Sequence, residues 1–265
     1  MNAKLERTHR MLATPKTNDG RYYFHPILMI HAATQYGKTY SEFMNDYHIL
    51  VESNMKLLEM YDHDAVSVIS DPNRETAAFG AKITFDGDSS PKADKLITCM
   101  EDVEKLEIPD VYAYPRTLDR INGVKLFREK LGVPFPIIGW VEGPLAECAD
   151  LCGISELMMN MIMEPDMVKA HILSSLAQTD LDILDADWMV DVAEVHQVMG
   201  EGVMVCGNLD PVTVVMDGTR ELIKAKYEEV KSSIPRENWI MMAGCEIPRD
   251  TPVENMKYLR EISLS

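Results

Sequence analysis

Short apolar runs recur along the chain, and most lead into a stretch with helical spacing. "ILMIH" (27–31) is followed by Phe43, Met44, Tyr47, Leu50, Val51, Met55 and Leu58, which predict a helix over about 40–60. "AVSVIS" (65–70) is the next run, and "PIIGWV" (136–141) passes through "EGP" into another helical pattern. "LDILDAD" (181–187) precedes "WMVDVAEVHQVMG", where Gly200 suits a helix C-terminus. "VMVC" (203–206) leads through "GNLDP" to a helix around 218–232. "WIMMA" (239–243) leads through "GCEIPRDTP" to a final helix from about 252, with Pro252 fit for its first turn. Continuous apolar strands alternating with helices predict a parallel sheet covered on both faces. The segment 71–135 breaks this rhythm. "AAFGAKITFDGD" reads as extended with a turn near Gly87, and "ITCMEDVEKL" and "TLDRINGVKLFREKLG" read as helices. We take it as the elaboration of one connection, so that residues 1–265 form a single domain.

Composition narrows the choice of partner. The 265 residues are 46% hydrophobic, enough for a large core, and α/β barrels run to about 250 residues as one domain. Asp and Glu number 43 against 26 Lys and Arg, a net charge of −17. Such a surface repels nucleic acid and anionic membranes, so neither is expected as a partner. It also weighs against a substrate with many carboxylates, unless a local cationic pocket receives it. The five cysteines are an odd number and do not look like a disulfide framework. The N-terminus lacks an apolar signal core, and no run approaches a membrane span. A cytoplasmic, reducing location is expected.

The chemically informative residues follow strands: His31, Asp71, Glu142, Asp187, Cys206-Gly207-Asn208 and Cys245-Glu246. In a βα barrel these positions meet at the C-terminal mouth, where active sites lie. Loop polarity explains any one of them, but their convergence points to a site.

"VMVCGNLDPVTVV" followed by "MMAGCEIPRDTPVENMKYLREI" resembles the last two βα units of the uroporphyrinogen decarboxylase superfamily. "DADWMVDVAE", "SDPNRETAAFGAKITF" and "IIGWVEGPL" resemble its earlier parts. The resemblance implies a TIM-type (β/α)8 barrel. It also implies one of two chemistries. Decarboxylases act on a porphyrinogen rich in carboxylates, and methyltransferases exchange a methyl group with a corrinoid using zinc. The position after the glycine of "AGC" is typically histidine in the decarboxylases and a zinc-ligating cysteine in the methyltransferases; here it is Cys245. The decarboxylase arginine expected near "MIHAATQYG" (29–37) is missing.

The resemblance therefore implies a zinc-dependent methyltransferase, with methylcobalamin or another corrinoid as co-substrate on a carrier protein. A small thiol or methylated small molecule would be its second substrate. Thiolate is a strong, soft ligand for zinc, and a catalytic zinc keeps one position open. Cys245 is the metal-ligand candidate, against the alternative of a small buried hydrophobe at a strand end. Glu142 and Asp187 are the catalytic candidates, the first as base or further ligand and the second as an orienting group. Asn208 and His31 are placed at the mouth by position, as candidate cofactor contacts. A decarboxylase-like enzyme working without metal is the alternative, and a barrel that binds a corrinoid protein without turnover is a third reading.

Two features depart from the pattern. The His-x-Cys-Gly motif that supplies the other zinc ligands is absent. Only six strands are counted where a barrel needs eight. About two βα units are missing at a join near His171 to Ser175. Either the chain is naturally short or a stretch is absent there. The second is favoured, because lost strands would expose sheet edges.

Overall fold

The computed structural model describes residues 3–13, 21–86, 88–163 and 181–264. The join expected near His171 to Ser175 and the turn at Gly87 lie outside the described residues. The sheet at the centre is parallel. Strand β1 (Tyr23–Phe24) pairs with β8 (Trp239–Ala243), β8 with β7 (Met204–Leu209), and β7 with β6 (Ile183–Asp185). Strand β2 (Val66–Ser67) pairs in parallel with β5 (Ile137–Ile138). The two sheets are linked where Asp64 N–H donates to Phe24 O at 2.9 Å. The order around the axis is thus β6, β7, β8, β1, β2, β5, six consecutive places of an eight-place ring. Among the described residues nothing joins β5 to β6, so the barrel is not closed. That gap is where the sequence lacks its two βα units.

Burial explains the strand sequences. Trp239, Ile240, Met241, Met242 and Ala243 are all at most 1% exposed, as expected for a strand with helices outside and packed side chains within. Helix α4 (Tyr47–Tyr61) follows α2 (Ile30–Tyr36) and α3 (Tyr40–Asn45), so the predicted 40–60 helix breaks at Asp46. The Asp46 side chain accepts from His48 N–H and starts the second piece. Helix α10 (Val192–Met199) ends at Gly200, α11 spans Arg220–Ser233, and α12 spans Val253–Ser263.

The run "ILMIH" is not a strand, which corrects the sequence expectation. The first strand lies upstream at Tyr23–Phe24, and α2 begins at Ile30. Pro26 has no N–H to give to a ladder, so pairing stops after His25 N–H bonds Met241 O at 3.2 Å. Within 71–135, Ala77 and Ala78 belong to helix α5 (Arg74–Ala78) rather than to an extended stretch. A small antiparallel hairpin follows, β3 (Ile83–Thr84) with β4 (Lys92–Ala93), then helices α6 (Met100–Glu104) and α7 (Pro115–Leu131). Helices α8 (Pro144–Cys152) and α9 (Ile154–Met163) follow β5, and α1 (Ala3–Leu12) precedes β1. Among the described residues no helix is long and apolar enough to cross a membrane.

Candidate active site

The glycine before Cys245 sets the geometry at the end of β8. A Cβ on Gly244 would lie 2.4 Å from Trp188 N and 2.8 Å from Ala186 O. A Cβ on Gly207, whose φ is +119°, would lie 2.5 Å from Ala186 O. Both glycines let the ends of β7 and β8 press against the backbone that leaves β6. Gly244 N–H bonds Leu209 O at 2.8 Å, and Ala186 N–H bonds Cys206 O at 2.8 Å, which locks the three strand ends together.

Cys245 leaves this clasp with an exposed thiol. Partial burial pushes its pKa up, and the charges of Glu246, Asp185 and Asp187 act the same way. Asp185 is raised to about 7 by burial, then by Asp187 and Glu142. Glu142 is raised to about 7 by burial, with Glu75, Asp150 and Asp71 adding to it and Arg74 opposing. Glu246 is also pushed to about 7 by burial, although its Oε1 accepts from Ile30 N–H at 2.6 Å. The fold therefore brings Cys245, Asp185, Asp187, Glu246 and Glu142 to the C-terminal end of the strands. The result is a thiol among carboxyl groups, several of them pushed up from the ordinary carboxylate range by burial.

The other candidates fall differently. Asp187 Oδ1 accepts from Met189 N–H at 2.8 Å, so its first task is to fold the loop after β6. Asn208 donates from Nδ2 to Val190 O at 2.9 Å and fastens that same loop. His31 is fully buried, with Nδ1 at 3.1 Å from Arg249 O and Nε2 at 2.7 Å from Tyr61 Oη. Both ring nitrogens are taken, so His31 holds α2 in place and offers nothing to a cofactor; this corrects its placement by position alone. Cys206 is 2% exposed and packs its Sγ against Met242 Sδ, a core residue. Asp71 is buried and accepts from Ser70 Oγ at 2.7 Å and from Arg116 Nη2 at 2.8 Å.

Two residues of the site were not singled out from the sequence. Asp185 lies inside an apolar run, and an acid there is the only signal it gives. Glu147, raised to about 8 by burial, accepts from Thr76 Oγ1 at 3.0 Å. Both line a cavity of about 930 Å³ between β5 and β6, together with Glu142.

A zinc centre needs three protein ligands. Among the described residues no three His, Cys, Asp or Glu side chains are arranged to hold a metal. Cys245 is the one member of the anticipated set that is present, so the described residues do not complete a zinc site.

The model of the uroporphyrinogen decarboxylase (URO-D) family matches residues 26–172 and 168–263, two segments that meet at the expected join. Uroporphyrinogen decarboxylase from Trichodesmium erythraeum is 35% identical over 89 residues, 34% of this chain and 25% of that protein. Uroporphyrinogen decarboxylase 2, chloroplastic, from Arabidopsis thaliana is 33% identical over 92 residues, 35% of this chain and 23% of that protein. The chain thus spans about a quarter of the length of these curated relatives. A solved methyltransferase from Methanosarcina mazei superposes with a TM-score of 0.75 at 17% identity, covering 98% of this chain and 97% of that one, a likeness of fold. With the family model matching nearly the whole chain on a parallel βα framework, this chain belongs to the uroporphyrinogen decarboxylase family.

Proposed function

We propose that this chain is a methyltransferase that exchanges a methyl group between a corrinoid on a partner protein and a small thiol or other heteroatom substrate. The observation that carries this reading is the exposed Cys245 thiol set among Asp185, Asp187 and Glu246 at the strand ends. A carboxyl-rich mouth disfavours a polycarboxylate substrate, and each nearby arginine already faces a carboxylate. Arg116 pairs with Asp71 at 2.8 Å, Arg74 with Glu75 at 3.8 Å, and Arg249 with Asp88 at 3.2 Å. The same carboxylates would attract a metal cation or a cationic carrier patch. In this reading Cys245 is a zinc ligand, and the His-x-Cys pair that would complete the set is absent from the sequence.

The chain's own residues have definite tasks. Glu142, with a pKa of about 7, can take the proton released when a substrate thiol becomes a thiolate. A methylated corrinoid, when docked, would supply the methyl group to the substrate sulfur and keep the bonding pair on cobalt. Asp187 and Asn208 fix the loop after β6, which borders the thiol. In this reading the corrinoid is presented by a carrier protein.

The second reading, a decarboxylase acting on a tetrapyrrole without metal, is favoured by the names of the relatives. Metal analysis of the purified protein and incubation with uroporphyrinogen separate the two. Zinc lost on Cys245→Ser, without porphyrinogen turnover, supports methyl transfer. Metal-free turnover of the porphyrinogen supports the decarboxylase and ends the first reading.

A further inference from the structure

The 930 Å³ cavity between β5 and β6 has largely apolar walls, with Phe79, Ile137, Trp140 and Leu184 among its lining residues. Several of its polar groups are buried without a hydrogen-bond partner among the described residues. His25 is 3% exposed and lines the cavity. Its Nδ1 lies 3.1 Å from Ala65 O. A carbonyl oxygen only accepts, so Nδ1 carries the hydrogen and Nε2 presents a lone pair. Nε2 is buried with no hydrogen-bond partner among the described residues. Asp185 Oδ1 and Glu147 Oε2 are likewise buried without a partner.

The cations of the lining do not answer these acceptors. Arg128 donates to the carbonyls of Gly132 and Phe135, at 2.7 and 2.9 Å, and Arg10 is exposed on α1. Burial keeps His25 neutral, with a pKa of about 4, and raises Glu142 to about 7 and Glu147 to about 8. An acid-rich cavity with an indole and a phenyl ring in its wall favours a cation over an anion. A neutral apolar molecule would fill it but leave its acceptors unpaired.

We propose that the cavity binds a protonated amine with an apolar body, the ammonium N–H donating to Asp185, Glu142 or His25 Nε2 and the body lying along Trp140 and Phe79. Aromatic faces add attraction for the cation, and the hydrogen bonds are charge-assisted. The inference rests on the cavity, which shares Glu142 and Asp185 with the proposed methyl-transfer site but asks only for binding.

Calorimetric titration of the full chain tests it with three probes of one shape: N,N-dimethylbenzylamine, benzyl alcohol and benzoate. The amine is expected to bind at least about tenfold more tightly than the alcohol, and benzoate not to bind. Glu142→Gln and Asp185→Asn should each weaken the amine about tenfold and leave the alcohol unchanged. Equal binding of the three probes, or no binding of the amine, overturns the proposal, and this comparison needs no variant to fold. Benzyltrimethylammonium has no N–H; if it binds more tightly than the tertiary amine, the role given to His25 Nε2 is wrong. Because no turnover is measured, failure here leaves the methyl-transfer reading to its own test.

Discussion

Gly244→Ala should damage both the stability of the barrel and the setting of Cys245. The added Cβ would stand 2.4 Å from Trp188 N, 2.8 Å from Ala186 O and 2.9 Å from Asp187 C, all backbone atoms. Ordinary contact begins near 3.4 Å, so the loop after β6 must retreat by about 1 Å (3.4 less 2.4) or β8 must move instead. Overpacking costs about 1–3 kcal/mol, and backbone atoms yield less readily than side-chain ends, so about 2–3 kcal/mol is expected. With a urea slope of about 3 kcal/mol/M, the unfolding midpoint should fall by about 0.7–1 M. Gly139→Ala is the control: a Cβ there meets nothing within 4 Å, and its effect should stay within about 0.5 kcal/mol. Urea unfolding followed by tryptophan fluorescence measures both, and alkylation of Cys245 by iodoacetamide reports the displaced thiol. A Gly244→Ala midpoint equal to that of Gly139→Ala would refute the close approach as the reason for this glycine.

Asp64 accepts from Phe24 N–H at 2.9 Å and from Arg260 at 2.9 and 3.1 Å, joining β1 to α12 with both side chains buried. Asp64→Ala leaves the buried guanidinium to the longer pair with Asp62 at 3.4 Å and should cost about 3 kcal/mol in urea unfolding, and a loss under about 1 kcal/mol would contradict the tie. Asp185→Asn removes a negative charge that raises Cys245, so the pH profile of Cys245 alkylation should move to lower pH; an unmoved profile would separate the two groups. Glu142 holds its proton to about 7, above the ordinary carboxyl value, so its favourable contribution is full at low pH and is lost as pH rises through 7. Glu142→Gln should therefore flatten the fall of Tm between about pH 5 and 8, and an unchanged slope would show that Glu142 ionises freely.

Much of the fold could be read from apolar runs, because parallel strands buried on both faces leave continuous ones. "WIMMA" forms its strand over the expected residues, and "LDILDAD" and "PIIGWV" contain theirs. "ILMIH" misled because a buried run before a helix has the same composition as a buried strand. Pro26 was the signal that the ladder had already ended. At the site, strand-end position singled out Cys245 and Glu142, and the fold sets Asp185 within electrostatic reach of each. It failed for His31, because position after a strand does not say which way a ring turns, and Tyr61 lies thirty residues away in the chain. Asn208 and Asp187 prove to be loop fasteners, a role that depends on the carbonyl of Val190 and the amide of Met189. His25 was invisible as chemistry, since only the folded barrel leaves its Nε2 without a partner.

The most direct test of methyl transfer at the Cys245 end is spectroscopic. Methylcobalamin is mixed with a small thiol and the purified protein, and loss of the methyl–cobalt absorbance is followed for the wild type and for Cys245→Ala. The predicted result is thiol-dependent demethylation by the wild type that disappears in Cys245→Ala. Demethylation at the same rate in both, or none in either while uroporphyrinogen is decarboxylated, would contradict it.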